Sequence, residues 1–306
     1  MALPIKINLP PHFLDAETRS GVEVSSKLKK VWAVELDLVS ELKRVCNKYG
    51  IRFMLAYGTL IGAVRHKGFI PWDDDFDVWI PRDDFEKLCA LARDEFKHPY
   101  FLQTALSDRM LYFPYARLRN SDTTGAIVGH ESVGYNNGIY IDIYVIDGYT
   151  DNKLLYNLQT FLRNISLKLC TMKWPQRKGH GVVHGITSWI RPFVRLFPFE
   201  TCNRISRTIL AMFNSSAKRF GPRYRKHPNA WNWWIEKASF DNLVELPYEN
   251  LMLPCPRNYD EHLRRMYGDY MEFPKDRGRY HEGIIHFEPE IPYVEYISQR
   301  SMVKWI

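Results

Sequence analysis

The chain has 306 residues, 45% of them hydrophobic and 25% charged, with 42 Lys and Arg against 35 Asp and Glu, a net charge of +7. That is enough material for one large domain or two smaller ones with a sizeable core, and it excludes a disordered or fibrous chain. Five scattered cysteines with no C-x-x-C pair exclude a disulfide framework and a cysteine-rich zinc site.

The N-terminus, MALPIKINLPPHFLD, is broken by prolines, which predicts neither a secretory leader nor an anchor and places the protein in the cytoplasm. No run reaches the ~18 apolar residues of a spanning helix. Charge is unevenly spread. Residues 152–235 carry fifteen Lys or Arg against the single acid Glu200, a balance of +14, and the rest carry 27 bases against 34 acids, a balance of −7.

Residues 1–23 read as an N-terminal arm. Next, Leu28, Val31, Trp32, Leu36, Val39, Leu42 and Cys46 recur at helical spacing between capping serines and Gly50, which predicts an amphipathic helix. RFMLAY predicts a short buried strand, Gly58-Thr59 a turn into a helix ending near His66, and DDFDVWI a strand that Pro81 stops. Phe85, Leu88, Cys89, Ala92 and Phe96 mark another helix. YFLQTA, YFPYARLRN and NNGIYIDIYVIDGY follow as strands, the last entered through an Asn137-Gly138 turn.

This alternation predicts an α+β core domain, α/β-like in its order, over residues 24–150, with one mixed sheet and flanking helices. Residues 151–306 read as mainly helical and basic, with Leu155, Leu158, Phe161, Leu162 and Ile165 on one helix face and a C-terminal segment packing back on the core.

Four aspartates, Asp73, Asp74, Asp75 and Asp77, crowd five positions beside apolar sequence. Two carboxylates about 4 Å apart repel by roughly 4 kcal/mol at an effective dielectric near 20, so something must offset them. Strand alternation points Asp75 and Asp77 one way and Phe76 and Val78 into the core. Asp142, between Ile141 and Ile143, becomes a third carboxylate if the two strands are neighbours. An oxygen-only set of this kind suits Mg²⁺ or Mn²⁺; the competing reading is a solvated acidic turn. Gly58-Thr59, at a strand-to-helix junction, is placed to meet a phosphate.

A Gly-Thr helix followed by D-h-D and a later third carboxylate resembles the nucleotidyltransferase fold. More narrowly, YGTLIGAVRHKGFIPWDDDFDV, YARLRNSDTT, IYIDIYVIDG and MYGDYMEFP resemble the LicD family of phosphocholine transferases, kin to fukutin-type proteins. The resemblance implies metal-dependent transfer of phosphocholine or a related phospho-alcohol from CDP-choline or another CDP-alcohol to a hydroxyl of a lipid-linked or surface glycan, such as lipopolysaccharide or teichoic acid, with release of CMP. Asp75 and Asp77 would then be metal ligands and Asp142 the third catalytic carboxylate. After that strand the family reads Asp-h-Phe-Pro-Leu-Asp, where this chain has DIYVID.

Other residues are assigned by type and place. Arg117 and Arg119 alternate on one strand face as guanidinium forks for a diphosphate, with ion pairing to the aspartates as the alternative. Arg65, His66 and Lys67 end the Gly-Thr helix within reach of phosphate, although a basic last turn also answers the helix dipole. His281 stands where the family often has a C-terminal histidine. Trp72, Tyr140 and Tyr144 are candidates for an aromatic cage around a quaternary ammonium. The basic half, interleaved with Trp174, Trp189, Trp231, Trp233 and Trp234, predicts peripheral contact at the inner membrane face through WIRPFVRLF. Nucleic acid is not an expected partner; the alternative function is a nucleotidyltransferase using nucleoside triphosphates on RNA.

Overall fold

The computed structural model describes residues 3–108, 115–128, 134–172, 193–194, 196–222, 233–274 and 284–303. Helix α1 (Ser26–Tyr49) starts where Ser25 Oγ accepts the Leu28 amide at 3.2 Å, and it stops at Gly50, whose φ of 61° is the left-handed conformation glycine adopts without strain. Its burial is wider than one stripe. Lys29, Glu35 and Asp37 are buried beside Trp32, Leu36 and Leu42. Asp37 accepts the Lys6 and Ile7 amides and the Tyr100 hydroxyl, which ties the N-terminal arm to the core. Lys29 pairs at 2.7 Å with Glu17 on β1 (Glu17–Arg19), hairpin partner of β2 (Val22–Val24).

The main sheet is mixed. β3 (Met54–Leu55) runs antiparallel to β4 (Asp77–Pro81), and β4 runs parallel to the long β8 (Ile139–Tyr149). On the other edge of β8, β6 (Ala116–Asn120) pairs antiparallel and carries β5 (Tyr100–Gln103) outside it. Past Ile146 that edge is taken over by β9 (Arg219–Gly221), followed by β10 (Ile235–Glu236), which makes seven strands in all.

The two sheet faces build two cores. Val78, Ile80, Ile141, Ile143 and Val145 share one cluster with α1 and with Phe85 and Leu88 of α3 (Arg82–Glu95). Trp79, Tyr144 and Ile146 share the other with Tyr57, Phe220, Trp233 and Ile235. Helix α2 (Tyr57–Ile61) passes into one π-helical turn, Gly62–His66.

Among the described residues the C-terminal half supplies helices α4 (Lys153–Thr171), α5 (Phe199–Ala211), α6 (Tyr259–Tyr267) and α7 (Tyr293–Val303). It also supplies strands. Beyond β9 and β10 there is a hairpin, β11 (Leu243–Tyr248) with β12 (Leu251–Pro256), and β13 (Ile285–Glu288), which pairs with β7 (Thr124–Ile127). The whole is a mixed α+β fold with helices flanking the sheet, as the alternation predicts. On α4, Leu155, Leu158, Phe161 and Ile165 form the expected apolar face, but that face is exposed to solvent. His281, Trp174, Trp189, Trp231 and most of WIRPFVRLF lie outside the described residues.

Candidate active site

Parallel pairing of β4 with β8 sets Asp77 opposite Asp142, and antiparallel pairing of β6 with β8 sets Arg117 opposite Asp142. Arg117, Asp142 and Asp77 therefore form one row across three strands. Arg117 Nε donates to Asp142 Oδ1 at 2.7 Å, and the Tyr144 hydroxyl donates to Asp142 Oδ2 at 3.3 Å. All three members of the row are buried, at 4, 7 and 6% exposure. Burial alone would make the Arg117 guanidinium easier to deprotonate, but Asp142 and the neighbouring tyrosines outweigh it and hold its pKa well above the ordinary value.

The glycine and threonine of α2 hold this row from one side. Thr59 Oγ1 accepts the Asp77 amide at 2.8 Å, and the Ala56 amide donates to Asp77 O at 3.0 Å. A Cβ added to Gly58 would sit 2.8 Å from Asp73 Oδ2, so the absence of a side chain there makes room for a carboxylate. The start of this helix, where a phosphate was expected, thus already faces a carboxyl group of the chain itself. Tyr57 opens the helix at a φ of 49°, a left-handed conformation that aims its ring edge-on at both Trp79 and Tyr144, each 5.3 Å away.

The remaining acids sit on the α1 side. Trp32 Nε1 donates to Asp73 O at 3.1 Å, and one turn further on the same helix Glu35 is 1% exposed. Burial raises the Glu35 pKa well above the usual carboxyl range, reinforced by Asp75, Asp74, Asp73 and Asp142 in that order. Burial does the same to Asp73, with Asp75 and Asp74 adding to it. Glu35 is a site residue that sequence reasoning missed. Its one signal was an acid at i+3 from a tryptophan in an otherwise apolar helix row.

Asp75, Asp77 and Asp142 thus belong to one acidic neighbourhood, with Asp77 and Asp142 in direct register. Among the described residues no three His, Cys, Asp or Glu side chains are drawn together into a ready ligand set. The donor chemistry nevertheless fits Mg²⁺ or Mn²⁺. The donors are all carboxylate oxygens, and the fold buries more of them than can ionise together without added positive charge.

The expected phosphate-binding residues divide by structure. Arg119 is fully buried and donates to Gln103 Oε1 and to the Gly138 carbonyl, which makes it a brace for the turn before β8 rather than an open fork. Burial and the adjacent Arg117 bring it down to about 9, so it remains charged at neutral pH. Both guanidiniums lie over the Tyr140 ring, at 3.7 and 4.6 Å, so that ring face is closed to a choline head group.

Arg65 donates to the Tyr270 and Glu272 carbonyls at 2.5 and 3.1 Å, and His66 stacks on Phe273 at 5.6 Å with Trp72 edge-on at 5.9 Å. This cluster docks the GDYMEF segment onto the helix end, and Trp72 belongs to it. Lys67 is exposed in a left-handed conformation, its carbonyl accepting the Glu249 amide at 2.8 Å.

Two further residues were not read from the sequence. Tyr115 lies 4.8 Å from Tyr144 and extends the aromatic wall beside Asp142. Asp147, the last residue of DIYVID, is 1% exposed and accepts Arg82 Nε at 3.0 Å and Nη2 at 2.6 Å, with Asn214 Nδ2 at 3.0 Å. That bidentate pair locks α3 to the end of β8 below the site.

Comparison with known proteins converges on the same strands. Residues 50–164 match the family model described as LicD/FKTN/FKRP, nucleotidyltransferase domain, a span running from before β3 into α4 and containing Asp75, Asp77, Arg117 and Asp142. The lipopolysaccharide cholinephosphotransferase LicD of Haemophilus influenzae is 27% identical over 264 residues, covering 81% of this chain and 93% of that protein. An uncharacterized protein of Rickettsia prowazekii is 43% identical over 47 residues, 15% of this chain and 18% of its own. A family match across the strands that carry the carboxylate row, and a relative aligned along most of both lengths, give residues 50–164 a LicD-type nucleotidyltransferase domain and support the LicD family for the chain.

Proposed function

We propose that the protein transfers phosphocholine, or a related phospho-alcohol, from a CDP-activated donor to a hydroxyl of a surface glycan and releases CMP. The observation that carries this reading is the Arg117, Asp142, Asp77 row across β6, β8 and β4, inside the family-matched segment. The name of the Haemophilus influenzae relative supports phosphocholine as the group and lipopolysaccharide as the kind of acceptor.

Asp75, Asp77 and Asp142 would hold Mg²⁺ or Mn²⁺, which when bound would neutralise the negative charge of the diphosphate. Arg117 contributes fixed positive charge for the non-bridging oxygens of the transferred phosphate. Asp142, anchored by Arg117 and Tyr144, orients the acceptor hydroxyl. The hydroxyl oxygen bonds to the phosphorus of phosphocholine, the bond from that phosphorus to the CMP oxygen breaks, and the hydroxyl proton passes to a carboxylate of the row. Tyr57, Tyr115 and Tyr144 form an aromatic wall beside this centre that suits a quaternary ammonium.

The test is to incubate the purified protein with CDP-choline, a divalent cation and delipidated lipopolysaccharide, following CMP by chromatography and the new phosphodiester by phosphorus NMR. Acceptor-dependent CMP release that chelation abolishes is the expected result. Release of pyrophosphate from nucleoside triphosphates in the presence of RNA, with no CMP from any CDP-alcohol, overturns the reading.

A further inference from the structure

Helix α4 is built inside out. Its buried positions are Gln159, Arg163, Ser166 and Cys170. They form the seam with α5: Gln159 Nε2 donates to the Ile209 and Leu210 carbonyls at 2.9 and 3.0 Å, and Ser166 Oγ lies 3.3 Å from Ser206 Oγ. The buried positions on α5 are Cys202, Ser206 and Leu210, so a single leucine joins a seam otherwise made of small and polar side chains. Meanwhile Leu154, Leu155, Leu158, Phe161 and Ile165, one apolar stripe by helical spacing, are 79, 42, 52, 61 and 44% exposed. Ile205 on α5 and Phe197 just before it are also exposed.

In water a helix pair gains stability by placing its leucines in the seam and its serines outside. A seam of small and polar side chains under an apolar exterior is the arrangement that works when the surroundings are themselves apolar. No described helix is long and apolar enough to cross a membrane. The geometry that remains is a helix pair lying in the plane of the bilayer interface.

Charge identifies the occupant. The segment 152–235 that contains both helices carries fifteen cationic side chains against one acid. Two segments of that net charge would repel each other, which disfavours a second copy of the chain, whereas an anionic headgroup layer attracts each nearby cation, the exposed Lys153, Lys168 and Arg204 of the two helices among them, by about 1 kcal/mol. We propose that the exposed stripe of α4, with α5 beside it, docks on an anionic lipid bilayer and sinks Leu158, Phe161 and Ile165 below the headgroups. This adds a contact on α4 to the one expected through WIRPFVRLF, and it stands whether or not the transferase chemistry does.

The test is flotation of the full chain with vesicles of phosphatidylcholine alone and of phosphatidylcholine mixed with phosphatidylglycerol, at low and high salt. The wild type is expected to float with the mixed vesicles, and the double variant Leu158→Glu, Phe161→Glu to lose about tenfold or more in binding with an unchanged melting temperature, because both side chains face solvent. A second variant, Lys153→Glu with Arg204→Glu, should weaken binding to mixed vesicles and reduce its salt dependence. Equal flotation of wild type and the stripe variant, or no flotation of the wild type, overturns the proposal. So does size-exclusion chromatography showing a wild-type dimer that the stripe variant dissolves while neither protein binds vesicles.

Discussion

Asp77 and Asp142 are register partners across the parallel β4 and β8 ladder, and Asp142 Oδ1 receives the Arg117 guanidinium at 2.7 Å. Asp77→Asn and Asp142→Asn should each lower CMP release by about 100- to 1,000-fold. They should differ in stability. Asp142→Asn leaves the buried Arg117 charge without its carboxylate, at a cost of about 3–5 kcal/mol, whereas Asp77→Asn leaves the backbone bond to Thr59 intact. Paired activity assays and urea denaturation check this; equal stability of the two variants would show that the Arg117 contact does not matter.

The Thr59 hydroxyl fixes the backbone of the aspartate strand. Thr59→Val keeps the shape but deprives the Asp77 amide of its acceptor, at a cost of about 1–3 kcal/mol. Gly58→Ala should be damaging for a different reason, since the new methyl meets Asp73 Oδ2 at 2.8 Å. Adding Asp73→Ala to Gly58→Ala should recover most of the lost melting temperature. Failure of that rescue would mean that the glycine is required for something other than room for Asp73.

Arg82 and Asp147 form a buried bidentate pair away from the carboxylate row. Asp147→Asn should destabilise the fold by about 3–5 kcal/mol, and replacing both partners with apolar side chains of similar volume should be milder. KM for the CDP-alcohol should hold in whatever fraction stays folded. A selective loss of kcat without loss of stability would instead place Asp147 in the chemistry.

Two kinds of buried group should tilt stability against pH in opposite directions, over windows that overlap between 4.5 and 6.5. Burial beside Trp79, with Arg265 adding to it, brings His262 from 6.5 to about 3. Its contribution is complete above 6.5 and is lost as pH falls, by about 1.4 kcal/mol per unit, because the unfolded chain takes up a proton that the folded one refuses. His66, lowered to about 4 by burial and Arg65, adds a smaller slope of the same sign. Glu35 is raised instead, so its contribution is complete below 4.5 and declines as pH rises. Denaturation across pH should therefore show His262→Gln reducing the loss below about 4.5 and Glu35→Gln removing a decline above about 6.5. Superimposable profiles for variant and wild type would rule out the assignment.

Much of the local structure was legible from residue type and spacing. The ends of α1 are set by Ser25 and Gly50, the D-h-D alternation marks the strand around Asp77, and the isoleucines flanking Asp142 announce a buried strand with one polar position. β7 was not legible, because its partner β13 lies more than 150 residues away and supplies the hydrogen bonds that make it a strand. Nor was the direction of the basic residues. Arg65 and Arg119 read as phosphate ligands by charge, but their guanidiniums point to backbone carbonyls that tertiary packing brings up to them.

The sequence by itself determined most of the helices and strands of the core and which chemistry the acidic stretch supports, because capping, alternation and side-chain type act over a few residues. Only the tertiary structure decided that Arg117, Asp142 and Asp77 share one row, that Glu35 lies under the aspartates, and that the apolar face of α4 is left outside. Strand register and helix packing depend on hydrogen bonds and burial between segments distant in the chain, and a periodic pattern reports that a face is apolar without reporting what will cover it.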